Sequence, residues 1–202
     1  MFSEHVQPAA PRRSSTRASA REKTRATVIA AAENLFLAEG YDAVSIRSIA
    51  RGAQVSVGTV MGVGNKDELL VEVFTSRILA RVASRVASPK TSSTLADELA
   101  QLFGDYFELL TADDELARAW GIALLRNQGH AATLIELKST LTKEIEAVSV
   151  KHGAGTITAD LTDPLYFVYL GALMNWGTGV CSADDAARTL ADTIARLLSS
   201  IE

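Results

Sequence analysis

Two hydroxyls and an ammonium group lie within a short stretch of the chain, at Ser56, Thr59 and Lys66, with Arg47 a little upstream. Such side chains bind phosphate oxygens: hydroxyls donate, and a lysine in the first turn of a helix adds its charge to N–H groups that already point outward. Catalytic chemistry finds far less support. The histidines, His5, His130 and His152, are widely separated with no cysteine or carboxylate at metal-ligand spacing, and the lone Cys181 has no partner that the sequence identifies. Gly62-Val63-Gly64-Asn65-Lys66 lacks the adjacent Gly-Lys, the following hydroxyl and the preceding strand of a nucleotide-binding loop. The chain therefore reads as a non-enzyme without metal or cofactor.

The elements that must position these groups run from Ser45 to Lys66, which reads as two short helices joined by a tight turn, a helix-turn-helix. Ser45 and Ser56 supply side-chain acceptors for the orphan N–H groups of the two first turns. Ile46, Ile49, Val55 and Val60 form the apolar contact between the helices, and Ala50, Ala53 and Gly58 let the backbones approach. The second helix would enter a major groove. Arg47, Ser56, Val57, Gly58, Thr59, Met61 and Lys66 are the candidate contacts to double-stranded DNA.

The surroundings of this motif, Ala31-Ala32-Glu33-Asn34-Leu35-Phe36, Gly40 to Ile46, Ile49-Ala50, Val55 to Thr59 and Asn65 to Leu70, resemble the N-terminal signature of TetR-type transcriptional regulators. The resemblance covers roughly residues 21 to 74. It implies an all-α fold of nine helices, DNA binding by the head, and a body in which helices four to eight enclose a ligand cavity. The chain departs from the pattern where DNA contact is made. Val60 is followed by Met61-Gly62-Val63-Gly64-Asn65-Lys66, one position short and without the aromatics of the family, so the phenolic hydroxyl that reaches a phosphate is missing. The family's turn glycine is replaced by Gln54, at a cost on the order of 1 kcal/mol for a left-handed residue.

Charge is segregated along the chain. The net charge is −4, yet residues 1–66 hold nine Lys/Arg against five Asp/Glu while residues 67–202 hold eleven against nineteen. A basic head on an acidic body suits a polyanionic partner. At 48% hydrophobic residues the chain is globular. No apolar run is long enough to span a bilayer, and a single cysteine fits a reducing compartment, so a soluble cytoplasmic protein is expected.

Taken in order, residues 1–18 read as a tail whose Arg12, Arg13 and Arg17 could reach a minor groove. Ser19 with Glu22 forms a capping box for the first helix of a head spanning 19–66, and Asn65 with Glu68 opens a long helix into a body spanning 67–202. Thr94 with Asp97, Thr111 with Asp114, and Ser182 with Asp185 mark later helix starts; Asp163 before Pro164 marks another, after a loop from Lys151 to Leu161.

In the body, Phe74, Ile78, Phe103, Phe107, Trp120, Leu124, Asn127 and Tyr169 are the candidate lining of a pocket for an apolar or aromatic small molecule. The last helix carries an apolar stripe; Ala187, Leu190, Ile194 and Leu197, with Gly171 on the helix before, are the candidate dimer interface. The expected function is a homodimeric, ligand-responsive repressor on a palindromic operator, with no membrane role. The alternative is a helical small-molecule-binding protein that has lost sequence-specific DNA binding.

Overall fold

The computed structural model describes residues 13–87, 94–126, 131–154 and 158–199. Among them stand nine helices and no strand: α1 (Arg13–Glu39), α2 (Ile46–Gly52), α3 (Val57–Met61), α4 (Lys66–Ala87), α5 (Leu95–Thr111), α6 (Asp114–Arg126), α7 (Ala131–Lys151), α8 (Thr158–Gly177) and α9 (Ala183–Ser199). The chain divides into two compact units, Met1–Leu69 and Leu70–Glu202.

In the first unit, α1 is held by Val28, Ala32 and Phe36, four residues apart and all fully buried. Burying a phenylalanine such as Phe36 stabilises by about 1.5–3 kcal/mol. The helix starts at Arg13, so Ser19 lies inside it and the expected Ser19–Glu22 box is not a helix start. Arginines at every fourth position, with mainly Ser, Thr and Ala between them, continue the helix upstream, with no Gly or Pro to break it. Gly40, at φ 79°, ends it by taking a left-handed conformation while its N–H donates to the Phe36 carbonyl at 3.0 Å.

Ser45 caps α2, accepting from the Ser48 N–H at 3.1 Å while Ser48 Oγ accepts in return from the Ser45 N–H at 2.9 Å. Ser56 caps α3 in the same way, accepting from the Thr59 N–H at 3.0 Å. Between them Gln54 takes φ 55°, the left-handed turn expected of it, and the Val55 N–H closes on the Ala50 carbonyl at 3.0 Å. Ile49, Ala50, Ala53 and Val60 are buried. The short segment before α4 replaces side-chain bulk by close approach: a Cβ on Gly64 would meet Glu68 Cβ at 3.0 Å. The Asn65–Glu68 capping box is complete, with Asn65 Oδ1 accepting at 3.0 Å and Glu68 Oε2 accepting at 2.8 Å.

In the second unit, α9 packs on α5 and α8 and buries Ala186, Leu190, Ile194 and Leu198, while α5 buries Leu99, Leu102, Phe103 and Tyr106. The Thr94 and Ser182 caps form as expected, each hydroxyl accepting from the N–H three residues on at 3.1 Å. Two expected starts differ. Helix α5 runs through Thr111, and Asp113 caps α6 by accepting from the Leu116 N–H at 3.0 Å. Helix α8 begins at Thr158 and carries Pro164 inside it rather than at its start. A proline this near an N-terminus sacrifices one backbone bond, and buried Leu161 and Leu165 hold the turns on either side.

Candidate functional site

The head presents α3 outward through Val57 and Met61, 44% and 53% exposed, with Gly58 exposed beside them. Ser56 is spent on its cap, and its hydroxyl lies 2.8 Å from that of Thr59. Arg47 on α2 is exposed. Lys66, the first residue of α4, donates to the Asp42 carbonyl at 3.3 Å and sits 4.1 Å over the Tyr41 ring. The Tyr41 hydroxyl in turn donates to Asp67.

An open groove runs beside α3, lined by Arg21, Glu22, Thr24 and Arg25 of α1 and by Gly58, Thr59, Gly62 and Val63. The sequence reading did not include Arg21 and Arg25. Their signal is the four-residue spacing of Arg13, Arg17, Arg21 and Arg25, which puts these positions on one helix face with about 6 Å between successive members. Bare glycine backbone and a hydroxyl on one wall, with guanidinium groups on the other, form a receptacle for phosphate oxygens; Glu22 is the one opposing charge in the wall.

The body holds a cavity of about 70 Å³. Its wall combines Ile78 of α4, Tyr106 and Leu110 of α5, Trp120 of α6, Leu134, Leu137 and Leu141 of α7, and Tyr166, Tyr169, Leu170 and Leu173 of α8. Of the sequence candidates, Ile78, Trp120 and Tyr169 come together here. Phe74, Phe103, Phe107 and Leu124 do not line it: Phe74 stacks on Trp120 at 5.2 Å, Phe103 packs against Tyr169 at 5.5 Å, and Phe107 meets the edge of Trp176 at 6.1 Å. Asn127 lies outside the described residues. The leucines of α7 and α8 were missed because, read along the chain, they look like any helix core.

Charge is kept out of this wall. The Tyr106 hydroxyl donates to Glu144, and Arg85 lies between Glu144 and Asp105, 3.1 Å from the latter. Burial first, then the Glu144 carboxylate, pushes the Tyr106 hydroxyl far above its usual range. Burial does the same to Tyr169, with a smaller contribution from Tyr166. Both stay neutral. No group of His, Cys, Asp and Glu among the described residues could hold a metal ion, and no described helix is long and apolar enough to cross a membrane.

The dimer candidates divide. Leu190 and Ile194 are 2% and 0% exposed within the chain, because the stripe they belong to is already covered by α5 and α8. The expectation that they offer open surface is corrected. Gly171, Ala187 and Leu197 are half-buried, and a Cβ on Gly171 would meet nothing within 4 Å. The open apolar surface of α8 is instead Phe167 and Met174, 66% and 56% exposed, which share a helix face with Gly171.

Residues 28–73, from α1 through the start of α4, match the family model for bacterial regulatory proteins of the TetR family. That stretch, α1 to the start of α4, is thus similar to the N-terminal region of TetR-family proteins. No curated protein gives a significant match. Solved TetR-type structures share the fold across most of the chain. FadR from Thermus thermophilus, a TetR-family repressor in complex with lauroyl-CoA, is 16% identical over 85% of this chain and 93% of its own, at a TM-score of 0.64. FadR from Bacillus subtilis, in complex with stearoyl-CoA, is 18% identical over 83% and 96%, at 0.60. NalD of Pseudomonas aeruginosa, the secondary repressor of the MexAB-OprM multidrug efflux pump, is 22% identical over 87% and 96%, at 0.56. Helix α3 has five residues, and Thr59 is its single hydrogen-bonding side chain.

Proposed function

We propose that this chain is a TetR-family regulator, a cytoplasmic homodimer and a repressor, non-enzymatic, whose two heads bind a palindromic operator in double-stranded DNA and whose body takes an apolar small molecule that weakens that binding. The observation that carries the reading is the basic surround of α3: Arg21 and Arg25 face Thr59 across the groove on one side, and Lys66 is held at the N-terminus of α4. The outward residues of α3 itself, Val57, Gly58 and Met61, offer no side-chain donor or acceptor to a base edge. Affinity then comes from phosphates and sequence discrimination is modest.

The acyl-CoA complexes of the two FadR proteins and the repressor role of NalD support a ligand-responsive repressor as the model for this chain. The effector reading rests on the apolar cavity, and coupling on the fact that α4 starts at Lys66 and carries Ile78 of the cavity wall. A ligand shifts DNA affinity only by the difference in its affinity for the two states of the regulator. For the dimer, Phe167, Gly171 and Met174 of α8, with Ala187 and Leu197 of α9 beside them, are the proposed contact.

The polar poverty of α3 also favours a second reading, a helical binding protein that no longer discriminates DNA sequences. Fluorescence anisotropy with DNA flanking its own gene, against random duplex over a salt series, separates the two. Operator preference, with half-sites about 34–36 Å or a multiple apart, supports the regulator; affinity equal to random duplex at every salt concentration overturns it in favour of the second reading.

A further inference from the structure

Helix α1 changes character part-way along. Val28, Ala32 and Phe36 are fully buried, whereas from Arg17 to Thr27 no residue is buried. That leading stretch is roughly 16 Å of helix. At 3.6 residues per turn, Arg17, Arg21 and Arg25 fall in the same arc of about 100° as Val28, Ala32 and Phe36. The face that is apolar and covered downstream is therefore arginine upstream, and Arg21 and Arg25 line the groove opposite Gly58, Thr59, Gly62 and Val63. The Thr24 and Thr27 hydroxyls are turned back onto the Ala20 and Lys23 carbonyls, each at 2.9 Å, which leaves this stretch guanidinium chemistry. Arg17 and Arg21 are exposed and make no ion pair among the described residues. Like charges four residues apart on a helix repel, so Arg17 against Arg21 and Arg21 against Arg25 weaken a stretch that has no buried residue to hold it. A row of phosphates reverses that sign.

We propose that the leading stretch of α1 is a second DNA-contacting element, laid along the phosphate strand that borders α3, with Arg17 and Arg21 as its anchors, and that duplex of any sequence stabilises it as a helix. This inference rests on the reading of the head as a DNA-binding unit and adds a contact outside the helix-turn-helix, made to charge and not to bases. The strand sits in the groove, with bare backbone at Gly58 and Gly62 on one wall and guanidinium forks on the other. Arg17, about one turn upstream of Arg21, carries the contact further along than the groove itself. Glu22 also lines the groove but lies outside the arginine arc, and Lys23 stands on the opposite face of the helix.

The full-length protein and a random-sequence duplex test this. In anisotropy titrations over a salt series, Arg17→Ala and Arg21→Ala should each lower the salt slope by about one unit for every head engaged. Lys23→Ala removes the same charge from the other face and should keep the wild-type slope. All three replace exposed residues with a better helix former, so folding is not at stake. In hydrogen exchange, the duplex should slow the amides of residues 17–27 in the wild type and not in the Arg17→Ala, Arg21→Ala double variant. Wild-type slopes in both arginine variants, or unslowed amides in the wild type, overturn the inference and leave DNA binding by the head standing. A loss with Lys23→Ala equal to that with Arg21→Ala also overturns it, since charge without a face would then suffice. Absence of wild-type binding to any duplex overturns the DNA reading and this inference with it.

Discussion

The Lys66 ammonium lies 4.1 Å from the centroid of the Tyr41 ring, and one of its protons is given to the Asp42 carbonyl. The ring holds the charge at the N-terminus of α4 without neutralising it, leaving donors for an incoming phosphate. Lys66→Ala is expected to weaken binding by a similar factor on every operator variant and to lower the salt slope by about one unit. Tyr41→Leu should weaken binding less and leave the slope unchanged, because the charge remains and only its placement is lost. Anisotropy titrations over a salt series measure both; a Lys66→Ala slope equal to wild type removes the anchor role.

Gln54 occupies the turn of the helix-turn-helix at φ 55°. Left-handed backbone costs a non-glycine residue about 1–2 kcal/mol, while glycine gives back part of that gain through the entropy of the unfolded chain. Gln54→Gly should therefore be neutral to stabilising by up to about 1 kcal/mol, and the β-branched Gln54→Val should destabilise by about 1–2 kcal/mol. Urea unfolding followed by far-ultraviolet circular dichroism is the check, and Gln54→Val as stable as wild type would contradict the turn geometry.

Glu98 is buried on α5 and meets Lys151 Nζ at 2.8 Å and His152 Nε2 at 2.7 Å. Burial acts to raise its pKa, but the hydrogen bonds and charges of Lys151 and His152 outweigh it and hold the carboxyl below its ordinary 4.5. A depressed folded value means that the stabilisation is complete above pH 4.5 and is lost as pH falls through the folded value. Because Lys151 is 43% exposed, solvent screening limits the effect. Glu98→Gln should cost about 1–2 kcal/mol at neutral pH, and its deficit should shrink as the medium is acidified. Thermal melts across that range measure it; a deficit constant with pH would show that the charge of Glu98 is not its source.

Phe167 and Met174, with Gly171 between them, leave an open apolar face on α8. If that face meets a second copy, Phe167→Asp combined with Met174→Asp should give a folded monomer by light scattering, with helicity and melting little changed. Ile194→Asp is expected to act differently: at 0% exposure it would bury a charge in the body and unfold it. A double variant that remains dimeric would move the interface elsewhere.

Features that depend on residues three or four apart were readable without coordinates. The Asn65–Glu68 box, the Ser56, Thr94 and Ser182 caps and the left-handed turn at Gln54 are local chemistry, and neighbours in the chain settle them. Thr111 and Pro164 misled because a good local start was overridden by burial on both sides, at Leu110 and Leu116 and at Leu161 and Leu165. An apolar stripe shows that a face is covered but not by what. Ile194 looked like a partner surface and is covered by its own chain, whereas Phe103 and Phe107 looked like pocket lining and are packed against other rings. Arg21 and Arg25 were legible in spacing, but their meaning depends on Thr59 lying across the groove.

Both tryptophans of the chain, Trp120 and Trp176, stand in the body, one stacked on Phe74 and the other against Phe107. Indole emission consequently has a single origin: it reports melting of the Leu70–Glu202 unit and is blind to the head. Circular dichroism sums over both. A denaturation curve in which the two signals separate would give the stability of each unit from one unlabelled sample, and a compound that shifts only the emission midpoint would be acting on the body.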